Sequence, residues 1–165
     1  MKNAEYWIDH LELKPHPEGG FYKENYRSPE LISKDGLPSR FSGARSLSTS
    51  ICFLLRSQDI SAFHRIQSDE LWHYHAGSSL SIYVLTEDGV SIHVLGADIA
   101  GGQSLHVVIP AHCWFGAQVN ESESYVLAGC TVAPGFDFDD FELARRNDLL
   151  AAFPQQESII HQLTR

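Results

Sequence analysis

Three of the nine histidines, two adjacent acids and three aromatics fall in one short stretch, Phe63-His64-Arg65-Ile66-Gln67-Ser68-Asp69-Glu70-Leu71-Trp72-His73-Tyr74-His75-Ala76-Gly77. An imidazole beside a carboxyl is equipment for moving protons near neutral pH. A strand over 70–75 puts Glu70, Trp72 and Tyr74 on one face and Leu71, His73 and His75 on the other, because strand side chains alternate. A turn over 67–69 then brings His64 and Glu70 together across two antiparallel strands. A charged pair inside a barrel is costly unless it serves or satisfies something. The expected chemistry is therefore proton transfer. His64, polarised by Glu70, is the base and Tyr74 is the acid. Trp72, Phe115, His73 and Tyr22 form the substrate-binding wall. Core packing is the alternative role for Trp72 and Tyr74, and packing or an inter-subunit contact is the alternative for His73 and His75.

Those residues need strands to hold them, and the chain supplies the signals. Turn residues at Ser68-Asp69, Gly77-Ser78, Asp88-Gly89, Gly101-Gly102, Pro110 and Asn120-Glu121 separate apolar runs. They predict strands over 46–56, 60–66, 70–75, 80–86, 90–95, 104–109, 113–119 and 124–132. Asp88-Gly89 between two apolar runs is the clearest hairpin signal. Evenly spaced strands without intervening helices favour a sandwich or barrel. Upstream, Ala4–Leu11 suits a short amphipathic helix capped by Asn3, with Pro15 and Pro17 to stop it. Gly19-Gly20 leads into a strand over Phe21–Arg27, and 28–43 is read as a long loop of the kind that forms lids. After Val132 the period changes. Phe138, Phe141, Leu143, Leu149, Leu150 and Phe153 suggest helix with Asp139 or Asp140 as cap, then Pro154 and a last helix over 155–163. The expected layout is one domain over 1–165, with a barrel core over about 20–135 and C-terminal helices over about 138–163.

Composition excludes some functions. The 165 residues carry a formal charge of −9, with 43% hydrophobic and 20% charged residues, which is ordinary for a globular chain. An acidic chain repels phosphate backbones, so no nucleic-acid partner is expected. No apolar run approaches the ~20 residues that span a bilayer, and no secretory leader is visible in Met1-Lys2-Asn3-Ala4-Glu5. The expectation is a cytoplasmic protein without membrane contact. Cys52, Cys113 and Cys130 have no paired spacing, which predicts buried free thiols.

His64-x-Ile66, three residues, Glu70, six residues and Gly77 resemble the first motif of the cupin superfamily. Pro110-Ala111-His112-Cys113-Trp114-Phe115 resembles the second. The resemblance implies an all-β double-stranded β-helix, the cupin jelly-roll barrel, with short flanking helices at both termini. Cupins of this kind commonly pair through their sheets, so a homodimer is expected. The superfamily's metal is held by three histidines and a glutamate, and Ile66 and Phe115 stand at two of those positions. No metal and no cofactor are therefore expected. His73 and His112 are the only nearby substitutes, and strand alternation opposes His73.

The strings His16-Pro17-Glu18-Gly19-Gly20, His64-Arg65-Ile66, Ser68-Asp69-Glu70, Trp72-His73 and Gly129-Cys130-Thr131-Val132-Ala133-Pro134-Gly135-Phe136 resemble a cupin branch described as predicted sugar epimerases. This implies a metal-independent epimerase or isomerase acting on a sugar or nucleotide sugar. The competing readings are a non-catalytic small-molecule-binding module and, disfavoured by the lost ligand positions, a metal-dependent enzyme.

Overall fold

Short alternating strands cannot bury their apolar faces singly, and here two sheets close on each other to do so. The computed structural model describes residues 2–165. Its strands are β1 (Lys14–Pro15), β2 (Phe21–Arg27), β3 (Leu31–Ile32), β4 (Arg45–Ser46), β5 (Thr49–Arg56), β6 (Ser61–Arg65) and β7 (Asp69–Gly77). They continue with β8 (Leu80–Thr86), β9 (Gly89–Leu95), β10 (His106–Ile109), β11 (Phe115–Val119), β12 (Tyr125–Ala133) and β13 (Glu142–Leu143). One sheet has the order β1-β2-β5-β12-β7-β10, the other β13-β6-β11-β8-β9, and β3 and β4 form a separate pair. The named pairings are antiparallel. This is the jelly-roll barrel expected from the sequence.

The inward faces supply the core, with Phe53, Leu55, Trp72, Ile82, Val84, Ile109 and Phe115 buried between the sheets. Helices cover parts of the two outer faces. The N-terminal α1 (Ala4–Leu11), capped by Asn3 through a 3.0 Å bond from the Tyr6 N–H, seals Leu54 and Leu127. The C-terminal α2 (Arg146–Ala152) and α3 (Glu157–Gln162) bury Phe63 and Leu85 beneath Leu149, Ile160 and Leu163. Among the described residues no helix is long and apolar enough to cross a membrane.

Several local expectations need correction. The prolines do not end α1; Glu12 does, in the left-handed region at φ 55, and Pro15 is already in β1. The 28–43 loop is tied down: Leu31–Ile32 pairs with Arg45–Ser46, Phe41 is buried, and Arg40 donates to the Gln67 carbonyl at 2.8 Å. Neither Asp139 nor Asp140 caps a long helix. Asp137 caps a single 3-10 turn by accepting from the Asp139 N–H, and Glu142–Leu143 goes back to pair with β6. In the β8–β9 hairpin Thr86 faces Gly89, so the turn residues are Glu87 and Asp88. The three thiols are free, but only Cys130 is fully buried.

Candidate functional site

A cavity of about 410 Å³ opens between the sheets, lined by side chains from β2, β5, β6, β7 and β12, the turn before β2 and the segment after β12. That volume suits a small organic ligand. Its deep wall includes His64, Ile66, Glu70, Trp72 and Cys130. Its rim includes Tyr22, Glu24, Arg27, Asp137, Phe138 and Phe141.

The central polar group is one the sequence reading passed over. Glu18 sits in the tight turn between β1 and β2, where its carbonyl accepts from the Ala62 N–H at 2.9 Å. Gly19, at φ +122, lies so close to the Ile60 carbonyl that a Cβ would collide with it. Only glycine permits this approach, and the approach pins Glu18 against the start of β6. The Glu18 side chain, almost fully buried, then accepts from the Ser61 hydroxyl at 2.7 Å and lies 3.1 Å from His64 Nε2. His16 Nδ1 is 3.4 Å from the same carboxyl oxygen.

The proton inventory of this group follows from its geometry. His64 Nδ1 is 2.8 Å from the Ala62 carbonyl, which can only accept, so Nδ1 carries a proton. Nε2 lies 3.1 Å from a Glu18 oxygen, close enough for a proton to pass between them. Burial raises the Glu18 carboxyl above its ordinary range, opposed by His16, the Ser61 hydrogen bond and the charge of Arg165. Burial also lowers His64 to about 4. Both directions favour the neutral forms of the two side chains.

Glu70 is the second buried carboxyl. Burial and then the nearby Glu18 raise it to about 8, with a hydrogen bond from Cys130 pulling the other way. It is therefore an acid at neutral pH that can donate a proton. Burial and the same two carboxyls push the Cys130 thiol well up, so it is no nucleophile. The Trp72 indole N–H, fully buried, has no acceptor among the described residues.

These shifts fix a pH dependence of stability. A carboxyl raised on folding stabilises fully below its unfolded value near 4.5 and loses that contribution as pH climbs through about 8. His64, lowered on folding, loses its contribution as pH falls from 6.5 through about 4. Above pH 6.5 the histidine no longer opposes the carboxyl. The urea midpoint should fall between pH 6.5 and 8, and Glu70→Gln should flatten that fall. An equal slope in the variant would remove Glu70 as its source.

The structure brings together four of the seven predicted site residues. His64, Glu70, Trp72 and Tyr22 line the cavity, and Tyr22 meets the His16 ring edge-on at 4.5 Å. Phe115 is one layer back, its ring 4.2 Å from that of His64, so it buttresses the site without lining the cavity. Tyr74 is not the acid of this site. It lies four residues from Glu70 along β7, roughly 13 Å at the usual strand rise, and its hydroxyl donates to the Gly77 carbonyl at 2.6 Å. His73 is not in the cavity either; it lies across from His106 on β10, with ring centroids 5.0 Å apart. The partner of His64 is also corrected, from Glu70 to Glu18.

The donor set does not fit the metal of the superfamily pattern. Ile66 lines the cavity and Phe115 packs on His64, and neither can coordinate. His64 Nδ1 is engaged by the Ala62 carbonyl, and Nε2 faces the Glu18 carboxyl at 3.1 Å. His112 is exposed in the turn after β10, at φ 67. Among the described residues no three His, Cys, Asp or Glu side chains are grouped to hold a metal ion.

Comparison with known proteins agrees with this architecture. A family model, Cupin_5, described as Cupin superfamily (DUF985), matches residues 5–144. The uncharacterized protein YML079W of Saccharomyces cerevisiae is 27% identical over an alignment of 152 residues that covers 87% of this chain and 76% of that protein. Protein SO0799 from Shewanella oneidensis superposes with a TM-score of 0.89 at 43% identity, over 100% of this chain and 99% of that one. A hypothetical protein from Leishmania major gives a TM-score of 0.89 at 34% identity, over 99% of each chain. Oxalate decarboxylase from Bacillus subtilis gives 0.54 at 14% identity, over 90% of this chain and 36% of that one, a likeness of fold alone.

Proposed function

This chain belongs to the Cupin_5 family of the cupin superfamily, and we propose that it is a metal-independent isomerase or epimerase of a small carbonyl compound of the sugar class. One observation carries the reading. Glu18 faces His64 Nε2 at 3.1 Å inside a cavity whose other buried carboxyl, Glu70, is raised to about 8 by burial and by Glu18. Buried groups with opposed shifts are how a site keeps an acid and a base side by side.

The steps balance without any further group. The C–H bond beside the carbonyl breaks and its proton goes to Glu18, as the proton Glu18 held moves to His64 Nε2. Glu70 gives its proton to the carbonyl oxygen, so the neutral enol forms opposite a carboxylate and an imidazolium. Glu18 returns its proton to the neighbouring carbon, as the second hydroxyl of the enediol gives its proton back to Glu70, to form the isomer. The same proton returned to the first carbon after the enol turns over in the cavity gives the epimer, and His64 hands its extra proton back to Glu18. Glu18 and Glu70 are the catalytic pair; His64 acts through Glu18.

A second reading has its own support. With His64 Nδ1 and the Ser61 hydroxyl engaged and Nε2 facing Glu18, the same network suits a module that only orients a ligand. Incubation with aldoses, ketoses and their lactones in deuterated water separates the two. The enzyme incorporates deuterium at the carbon beside the carbonyl of its substrate. Tight binding of a sugar without any incorporation would sink the catalytic reading.

We further propose a homodimer. The six-stranded sheet ends in open edges at β1 and β10, and Tyr26 and Val108 on its strands are about half exposed. Unpaired edges and exposed apolar side chains invite a second copy. Sedimentation at micromolar concentration should return twice 18.5 kDa, and a mass near 18.5 kDa itself would rule the dimer out.

A further inference from the structure

We propose that the cavity admits an uncharged ligand and rejects phosphorylated ones, with Glu24, Arg27 and Asp137 at its mouth as the charge filter. This rests on the cavity being the ligand site, and it narrows the substrate class to free sugars and their neutral relatives, leaving out nucleotide sugars.

The charges are unevenly placed. Among the described residues lining the cavity, Arg27 is the only lysine or arginine, against the carboxyls of Glu18, Glu24, Glu70 and Asp137. A phosphate would have to shed water, and without a free cation nothing offsets that cost. Arg27 is not free. Its Nε and Nη2 donate to the two Glu24 oxygens at 3.0 and 2.7 Å, and Nη2 also donates to the Phe136 carbonyl at 3.1 Å. Asp137 adds a further negative charge close enough to raise Arg27. Both members of the Arg27–Glu24 pair are about two-fifths exposed, which puts them where a ligand enters.

The deep end asks for the opposite of an anion. Burial favours the neutral acid forms of Glu18 and Glu70, and Arg165, whose charge acts on Glu18, does not line the cavity. Trp72 brings an unpartnered N–H and Glu70 an acid O–H, both donors that match carbonyl or hydroxyl oxygens. Phe53 and Trp72, edge-to-face at 5.4 Å, supply an apolar wall for a ring. An uncharged, oxygen-rich small molecule fits both ends.

The test uses inorganic pyrophosphate and UDP-glucose as charged probes, glucose, rhamnose and gluconolactone as neutral ones, and the double variant Glu24→Gln, Asp137→Asn. The variant should fold, since an exposed ion pair contributes little and Asn caps a turn as well as Asp does. Calorimetry and thermal shift should show no binding of either charged probe to the wild type. Freeing Arg27 should tighten pyrophosphate binding at least about tenfold, equivalent to ~1.4 kcal/mol, and salt should weaken the gain. Wild-type protein that binds pyrophosphate or UDP-glucose as tightly as the variant overturns the filter. If a charged probe binds wild type and Glu70→Gln abolishes that binding, the cavity stands as the ligand site and only the filter falls. A neutral probe that binds wild type and variant alike supports it.

Discussion

Glu18→Gln should lower turnover by about 10²–10⁴-fold, the usual cost of losing a proton-transferring group, with little change in melting temperature. The reason lies in what glutamine keeps. Its amide oxygen can still accept from the Ser61 hydroxyl, 2.7 Å away in the native protein. Its amide nitrogen can still donate to His64 Nε2, now 3.1 Å from the carboxyl. The network survives, but the group can no longer take up the proton of the C–H bond. Loss of rate with unchanged stability therefore separates chemistry from scaffolding. His64 acts at one remove, so His64→Ala should move the pH–rate profile as well as lower the rate. It leaves Glu18 without the neutral acceptor that now faces it. The measurement is deuterium incorporation into the substrate carbon against pH for wild type and both variants. Turnover within a few-fold of wild type in Glu18→Gln would remove Glu18 from the chemistry and return the site to a binding role.

How far the sequence revealed this site depends on distance along the chain. The span from His64 to Gly77 is local: one strand, a turn and a second strand. Its alternation correctly put Glu70 and Trp72 on the inward face, and both line the cavity. The same alternation holds for Tyr74, which packs against the inward cluster that contains Trp72, but facing inward does not put it at the cavity. A bulge between β7 and β12 inserts His75 opposite the Leu127–Ala128 step, and Tyr74 lies farther along the barrel, closing on Gly77. Glu18 was out of reach for another reason. It comes from a turn more than forty residues upstream of His64, and no periodicity reports that a tight turn lies against β6. The usable signal was an acid beside two glycines in His16-Pro17-Glu18-Gly19-Gly20. Only the close approach at Gly19 explains why that pair is needed. The strand ladder itself was legible, since Phe21–Arg27 and Leu80–Thr86 appear with the expected bounds. The stretch over 138–143 was not, because apolar residues at mixed spacing fit a helix as well as the 3-10 turn and short strand that form, whereas the helices expected around Leu149 and after Pro154 do form.

The other large expected effect is on stability and concerns Asp140, the residue the sequence suggested as a helix cap. Its two oxygens accept from Arg45 Nε and Nη2 at 2.6 Å each, and both side chains are only 5% exposed. Arg45 also donates to the Ala44 carbonyl at 2.8 Å and to Ser42 Oγ at 3.2 Å. The pair joins β4, which closes the segment after β2, to the 3-10 turn between Phe138 and Phe141 on the cavity rim, beside the bond from the Gly135 N–H to the Ser46 carbonyl at 2.8 Å. Removing one partner strands the other charge away from water. Asp140→Ala should therefore cost about 3–5 kcal/mol, far above the ~1 kcal/mol of an exposed pair. Arg45→Ala should cost a similar amount. Arg45→Met with Asp140→Leu together should cost much less than the two single changes added, because no buried charge is left unpaired. Urea unfolding of wild type, the two single variants and the double variant provides the measurement. Single-variant losses near 1 kcal/mol would mean that water reaches the pair, and that the rim aromatics are held by their own packing instead.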